Sequence, residues 1–389
     1  MAIPLMRPKS LPWMVFLLVR VPLLLALPFD GLRGYGDFYH FYRLAQLPGL
    51  PFVNYWVEFP PLFPFLLEGL VHLAPRENAF TYLLVILLTG VDVASIVLFQ
   101  RLTEHLSLPD GDTRAVLYAA LIAGLAYTWW YFDSLCVFFT LLGLHALLSS
   151  RSDAQTGVII GLGMLTKWFP ALVLPTIWRS APPRRAITIT LTALGLVAAV
   201  YGSLWLVSPE FTRASLQSQS AKGSWETVWA LLDGNWGTGN FGDLALRFDP
   251  QAAVQPMGNP ERIPAWIRLL GIGGLGFILY LRHPVASPKN SLTLVGLTWA
   301  LFFLWSPGWS PQWVLYLIPL ILLSLPLRQG LLMSGTLTLV NLLEWPLLLS
   351  RGWFQWLALP VGLRTFLLIL LVVVWVKHSR ATSLPSNPY

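Results

Sequence analysis

The sequence predicts an all-α polytopic membrane protein, a bundle of roughly 10–12 transmembrane helices with a large first outer loop. Three observations carry that prediction. Of 389 residues, 56% are hydrophobic and 11% charged, with mean hydropathy +0.64, which is more apolar surface than a water-soluble domain of this size needs. Apolar segments recur at or near the length that crosses a bilayer. The 19 tryptophans and 12 tyrosines gather at segment ends, as in an interfacial aromatic belt. The net charge of +7 comes from loop lysines and arginines without a long basic run, so no nucleic-acid partner is expected. A lone cysteine, Cys136, excludes an intrachain disulfide.

The apolar N-terminal stretch is too long for a signal peptide and no small-residue cleavage site follows, so a first membrane helix is expected over 12–29. Further segments lie at about 80–100, 115–131, 134–149, 187–207, 266–281, 291–305, 313–326, 330–349 and 358–376. Two shorter pieces, 155–166 and 169–178, meet at "TKWFP" and are expected to form a hairpin with its tip inside the membrane. A Pro-Pro pair opens a short amphipathic helix over 60–75, laid on the outer surface. The remainder is two large loops, 30–58 and 208–265, and small polar connections. Residues 1–377 make one membrane domain, followed by a tail at 378–389.

Orientation follows from the short connections. Arg101, Arg114, Arg151, Arg179, Arg184, Arg185, Arg282, Lys289 and Arg328 share one side, while "YFDS" and "SPGWSPQ" on the other hold no basic residue. Both termini then face the cytoplasm. Asp37, Glu58, Asp133, the 208–265 loop and the "SPGWSPQW" turn face outward together.

Several residues stand out against this apolar background. Asp37 in "GYGDFYHFY" lies among Tyr35, Tyr39, His40 and Tyr42, which offer stacking surface and hydrogen bonds, and Gly34 and Gly36 let backbone approach a ligand closely. A partly buried carboxylate there could take a proton from a substrate hydroxyl; the bland alternative is pairing with Arg33 or Arg43. Glu58 precedes the Pro-Pro helix, where it could act chemically or merely favour the helix dipole. Arg20 and Lys167 are read as the two basic residues at membrane depth, suited to a lipid phosphate or to pairing with Asp92 or Glu344. In the second loop, Trp225 and Glu226 combine an aromatic face with a polar tip, as a sugar ring requires, although interfacial anchoring would explain the tryptophan equally well. "GIGGLG" at 271–276 fits a dinucleotide pattern but lies in an apolar helix without a preceding strand, so close helix packing is expected there and at "GVIIG", 157–161. No Cys/His cluster has metal-ligand spacing, and no phosphate loop or nucleophile elbow is present.

Four stretches in order resemble the GT-C glycosyltransferases that use polyprenyl-phosphate sugars. The nearest relatives in pattern are bacterial polyprenol-phosphate-mannose-dependent mannosyltransferases and the GPI-anchor first mannosyltransferase. The stretches are "GDFYHFYRLA…GLPFVNYWVEFPPLFPFLL", "YFDSLCVFFTLLGLHALL", "GLGMLTKWFPALVLP" and "SPGWSPQWVLYLIPL", and the resemblance spans roughly residues 12 to 325. It implies a GT-C-like bundle and inverting transfer of a sugar from a lipid phosphate at the outer face of a membrane, with a lipid or glycan as acceptor. Asp37 matches the family's first-loop acid and would be the general base, with Glu58 as an extra polar contact or second acid. Lys167 matches the lysine assigned to the donor phosphate, with Arg20 a further candidate; Asp133, Ser310 and Gln312 match motif positions that shape the sugar pocket. Some relatives carry paired acids where "GYGD" has one, which argues against a bound divalent metal; no cofactor is expected beyond the donor lipid. The expected setting is a bacterial plasma membrane. Rival readings are a lipid or solute transporter, which predicts pseudo-symmetric halves and mid-membrane charges, and an inactive membrane scaffold, which only an activity test separates.

Overall fold

A computed structural model describes residues 9–34, 37–149, 151–237, 239, 242–285 and 287–381. It is helical throughout, with no strand among the described residues, and the fold is that of an all-α membrane protein. Helices long and apolar enough to span a membrane run over Glu77–His105, Pro183–Val207, Ala265–Arg282, Leu327–Arg351 and Phe354–Arg380. Shorter apolar helices include Leu11–Ala26, Leu62–Leu73, Asp133–Leu148 and Pro311–Ser324.

The expected segments reappear as helices, with boundaries moved by local chemistry. The 115–131 segment divides into Gly111–Ala123 and a short turn, Tyr127–Trp130, around Gly124. The two large loops hold more order than expected. The first contains the helix Asp37–Ala45, and the second contains Pro209–Ala221 and Val228–Asp233.

The break at "TKWFP" has a simple cause. The helix Asp153–Thr166 begins where Ser152 Oγ accepts from the Gln155 amide at 3.2 Å. Continuing it would require a hydrogen bond from residue 170 to the Thr166 carbonyl, and Pro170 has no N–H and would clash there. Lys167 instead adopts extended geometry, and the chain returns through Phe169–Val173 and Leu174–Ser180. Arg185 Nε bonds Asp153 Oδ1 at 2.8 Å, so both ends of the excursion lie on one side. Trp168, at the tip, stacks on Tyr201 with ring centroids 5.7 Å apart, six residues short of the end of Pro183–Val207. At 1.5 Å per residue the tip stops about 9 Å below that end. The chain therefore turns back on itself at this break, as the expected hairpin requires.

The glycines of "GVIIG" are packing glycines. A Cβ at Gly157 or Gly161 would lie 2.7 Å from the Ile189 carbonyl or 3.0 Å from that of Ala193. "GIGGLG" departs from its expected close packing. A Cβ at Gly271 or Gly274 would meet nothing within 4 Å, and the segment borders an apolar groove of about 500 Å³ shared with Pro175, Phe302 and Trp305.

Aromatic packing fixes the first loop to the bundle. Phe41, buried on the helix Asp37–Ala45, meets Phe63 edge-on at 4.9 Å, and Phe63 stacks on Phe132 at 4.1 Å. Phe132 immediately precedes Asp133, so the same cluster sets Asp37 and Asp133 in register.

Candidate functional site

Two stitches between distant loops build the site. Trp56 and Val57 bind the second loop: the Trp56 amide donates to the Arg247 carbonyl at 3.0 Å and the Val57 amide to Ser215 Oγ at 3.0 Å. Trp225 lies along the "SPGWS" turn, donating to the Pro307 carbonyl at 3.2 Å and accepting from the Trp309 amide at 3.1 Å. The turn needs glycine here, because a Cβ at Gly308 would sit 2.3 Å from the Trp225 ring.

Between the stitches, charges from five parts of the chain converge. Lys167 Nζ bonds Asp133 Oδ1 at 2.7 Å, and the Tyr316 hydroxyl donates to the same oxygen at 2.7 Å. The ammonium also lies 5.2 Å from the ring centroids of Phe132 and Phe169 and 5.5 Å from that of Trp313. Across from it, Glu58 is held by two cations, Lys222 Nζ at 3.3 Å and Arg247 at 3.3 Å. Arg247 lies over the Trp56 ring at 3.9 Å, and Lys222 is 5.7 Å from that of Trp225. A cavity of about 280 Å³ opens beside Lys222 and Trp225, lined also by Gly223, Ser224 and Asn235.

Asp37 heads its helix within reach of these charges. The helix dipole favours its ionised form, yet burial raises the carboxyl pKa to about 6, helped by the Glu58 and Asp133 charges and opposed by Lys222 and Lys167. At neutral pH it is an ionised carboxylate with a basicity suited to proton abstraction. His40, one turn on, is held below its usual range by burial, Arg43 and Arg247, and is neutral at pH 7.

No family model matches the chain. No curated protein matches it either.

Most sequence-selected residues meet at this one place: Asp37, Glu58, Asp133, Lys167, Trp225 and Glu226, with Ser310 joined through Trp225 Nε1 at 3.4 Å. Gln312 is buried in the adjoining turn beside Trp313. Tyr35 and Gly36 lie outside the described residues.

Three expectations change. Arg20 is sealed at 0% exposure: its guanidinium bonds the Ala123 carbonyl at 2.7 Å, the Ile122 carbonyl at 2.8 Å, Thr128, and Asp92 at 3.4 Å. It ties helices together, as the pairing alternative required, and its fully buried guanidinium is not open to a phosphate. Glu58 is not free to act as a second base, since both carboxylate oxygens face cations. It positions Lys222 and Arg247. Gly34, with φ +69°, makes room for protein: a Cβ would stand 2.5 Å from Trp130.

The sequence reading missed Lys222, Arg247, Tyr316 and Arg364. Arg364 lies within the 358–376 segment and Arg268 within 266–281, so Arg20 and Lys167 are not the only basic residues at that depth. Arg364 is buried and joins the Glu344 carboxylate to the Glu226 carbonyl. The signal for it was present, a cation inside an apolar segment. For Lys222 and Arg247 the sequence offers none, because loop cations do not announce their partners. Among the described residues, no three His, Cys, Asp or Glu side chains group as metal ligands.

Proposed function

We propose that this protein is an inverting glycosyltransferase of the GT-C type. It moves a hexose, with mannose the first candidate, from a polyprenyl-phosphate donor to a lipid or glycan acceptor. The observation that carries the reading is Asp37: a carboxyl raised to about 6, close enough to Glu58, Lys222, Lys167 and Asp133 to feel their charges. The four motif stretches support it, since their polar residues converge although they are far apart in sequence.

In the proposed reaction the acceptor hydroxyl oxygen attacks the anomeric carbon on the face opposite the phosphate. The carbon–oxygen bond to phosphate breaks, its electron pair leaves with the polyprenyl phosphate, and the hydroxyl proton passes to Asp37. A phosphate leaves without prior protonation, so the second carboxylic acid of a glycosidase is unnecessary. Lys167 and Lys222 would stabilise the charge growing on the phosphate. Lys167 has three N–H donors, and Asp133 accepts from one at 2.7 Å. The site would face outward from a bacterial plasma membrane with both termini in the cytoplasm.

The test supplies purified protein in vesicles with native lipid extract and labelled polyprenyl-phosphate mannose, glucose, galactose or arabinose. Label should leave one of these donors and appear in product with inverted anomeric configuration. No transfer from any donor by folded protein would overturn the reading in favour of a transporter or scaffold.

A further inference from the structure

The proposed transfer leaves Glu226 without a role, yet its geometry is that of a binding group. Its side chain is 95% buried, at 5% exposure, and Oε2 has no hydrogen-bond partner among the described residues. Native proteins seldom leave a buried polar atom unmatched unless something else completes it. Its backbone is unusual as well, with φ +53°, a left-handed conformation unfavourable for a residue with a side chain.

The surroundings impose this conformation from three directions. On one side Trp225 is clamped to the Pro307 and Trp309 backbones. On the other, the Thr227 hydroxyl donates to the Pro307 carbonyl at 2.8 Å and accepts from the Ala230 amide at 3.2 Å. From beneath, Arg364 donates to the Glu226 carbonyl. The backbone at Glu226 therefore cannot relax to a negative φ without breaking the stitch. Backbone strain combined with an unmatched atom is the pattern of a site residue awaiting a ligand.

We propose that Glu226, through Oε2, hydrogen-bonds a hydroxyl of the sugar carried by the donor and so helps select which sugar is transferred; this rests on the glycosyltransferase reading. The neighbouring Trp225 supplies the complementary surface, a flat ring for the apolar face of a pyranose. Asp37 is close enough for its charge to be felt at Glu226. The titratable and charged groups that sense Glu226 are Arg364, Asp37, Tyr127 and Tyr131. Burial pushes its carboxyl up, Arg364 pulls it down and Asp37 adds to the rise, for a net shift toward the protonated form. Arg364 is the main counterweight and also pairs with Glu344. A protonated carboxyl can donate to a sugar oxygen while Asp37 remains an acceptor.

The test follows tryptophan fluorescence as the purified protein is titrated with polyprenyl-phosphate mannose, glucose, galactose and arabinose, and with bare polyprenyl phosphate. Wild type is compared with Glu226→Gln and Glu226→Gly. Glycine adopts φ +53° without strain, so that variant removes the carboxyl while easing the turn. Glu226→Gly should weaken binding of the best sugar lipid about tenfold and leave the bare lipid unchanged. Glu226→Gln keeps a donor of similar reach and should recover most of the loss. Equal sugar-lipid affinity in all three proteins, or equal weakening for sugar-bearing and bare lipid, would overturn the assignment. Wild type binding every sugar lipid no better than the bare one would instead overturn the glycosyltransferase reading itself.

Discussion

Two buried ion pairs of similar chemistry serve different ends in this molecule. Arg20 and Asp92 are sealed, with side chains 0% and 4% exposed, and the remaining polar atoms of the pair meet Ser134, Thr128 and backbone carbonyls. Lys167 and Asp133 form the shorter contact, 2.7 Å, yet the lysine is 17% exposed and lies among three aromatic rings. The first pair is closed by its own fold, and the second keeps its lysine partly exposed and near enough to Asp37 for its charge to act there. A basic residue at membrane depth therefore announces a polar partner but not a function. What separates the two is whether the cation can still reach something other than protein.

Removing one partner from each pair should sharpen this contrast. Asp92→Ala leaves a guanidinium buried and uncompensated, and should lower stability by about 3–5 kcal/mol in thermal or denaturant unfolding. Sugar transfer per folded molecule should be unaltered, because the pair is sealed from solvent by its own contacts. Lys167→Gln should do the reverse. Its stability loss is smaller, because the Tyr316 hydroxyl still serves Asp133, while kcat should fall about 10²–10³-fold as a donor to the developing charge disappears. If Asp92→Ala abolishes transfer in folded protein, or Lys167→Gln spares it, the contrast is wrong.

A smaller effect tests the stitch that binds Trp225 of the second loop to the "SPGWS" turn. Gly308→Ala places a Cβ 2.3 Å from the Trp225 ring and should cost about 1–3 kcal/mol of stability. Donor affinity should weaken with it, as read by a raised KM. The smallest effect concerns pH. The base must be ionised, and burial holds Asp37 near 6 instead of the usual 4 or so. Transfer should therefore rise with pH through about 6 and be lost below it. Glu58→Gln removes a negative charge that holds Asp37 up and releases Lys222, whose charge favours the carboxylate. The acid limb of kcat/KM should move to lower pH; movement upward would contradict the electrostatic arrangement.

Hydropathy made the spanning helices legible, since length and apolar content decide them almost alone. The hairpin was legible for a different reason: 155–166 and 169–178 are each too short to span a bilayer separately. The order inside the large loops was hidden, because Asp37–Ala45 and Pro209–Ala221 are short, mixed in polarity and stabilised by contacts from elsewhere. The site was legible in part. Asp37 and Lys167 stood out as charges in apolar surroundings and Asp133 through the motif resemblance, while Lys222 and Arg247 looked like ordinary loop residues until Glu58 drew them together. Arg20 shows the opposite failure, a conspicuous charge whose partner lies 72 positions away and closes it off. The glycines of "GIGGLG" show a third, since small residues permit close packing without requiring it.

The measurement closest to the central claim compares label transfer by wild type and Asp37→Asn, at matched folded abundance, from the lipid-phosphate sugar that wild type uses. The account predicts a loss of about 10²–10⁴-fold with donor binding and thermal stability retained. Transfer by Asp37→Asn at the wild-type rate would contradict it and remove Asp37 as the base.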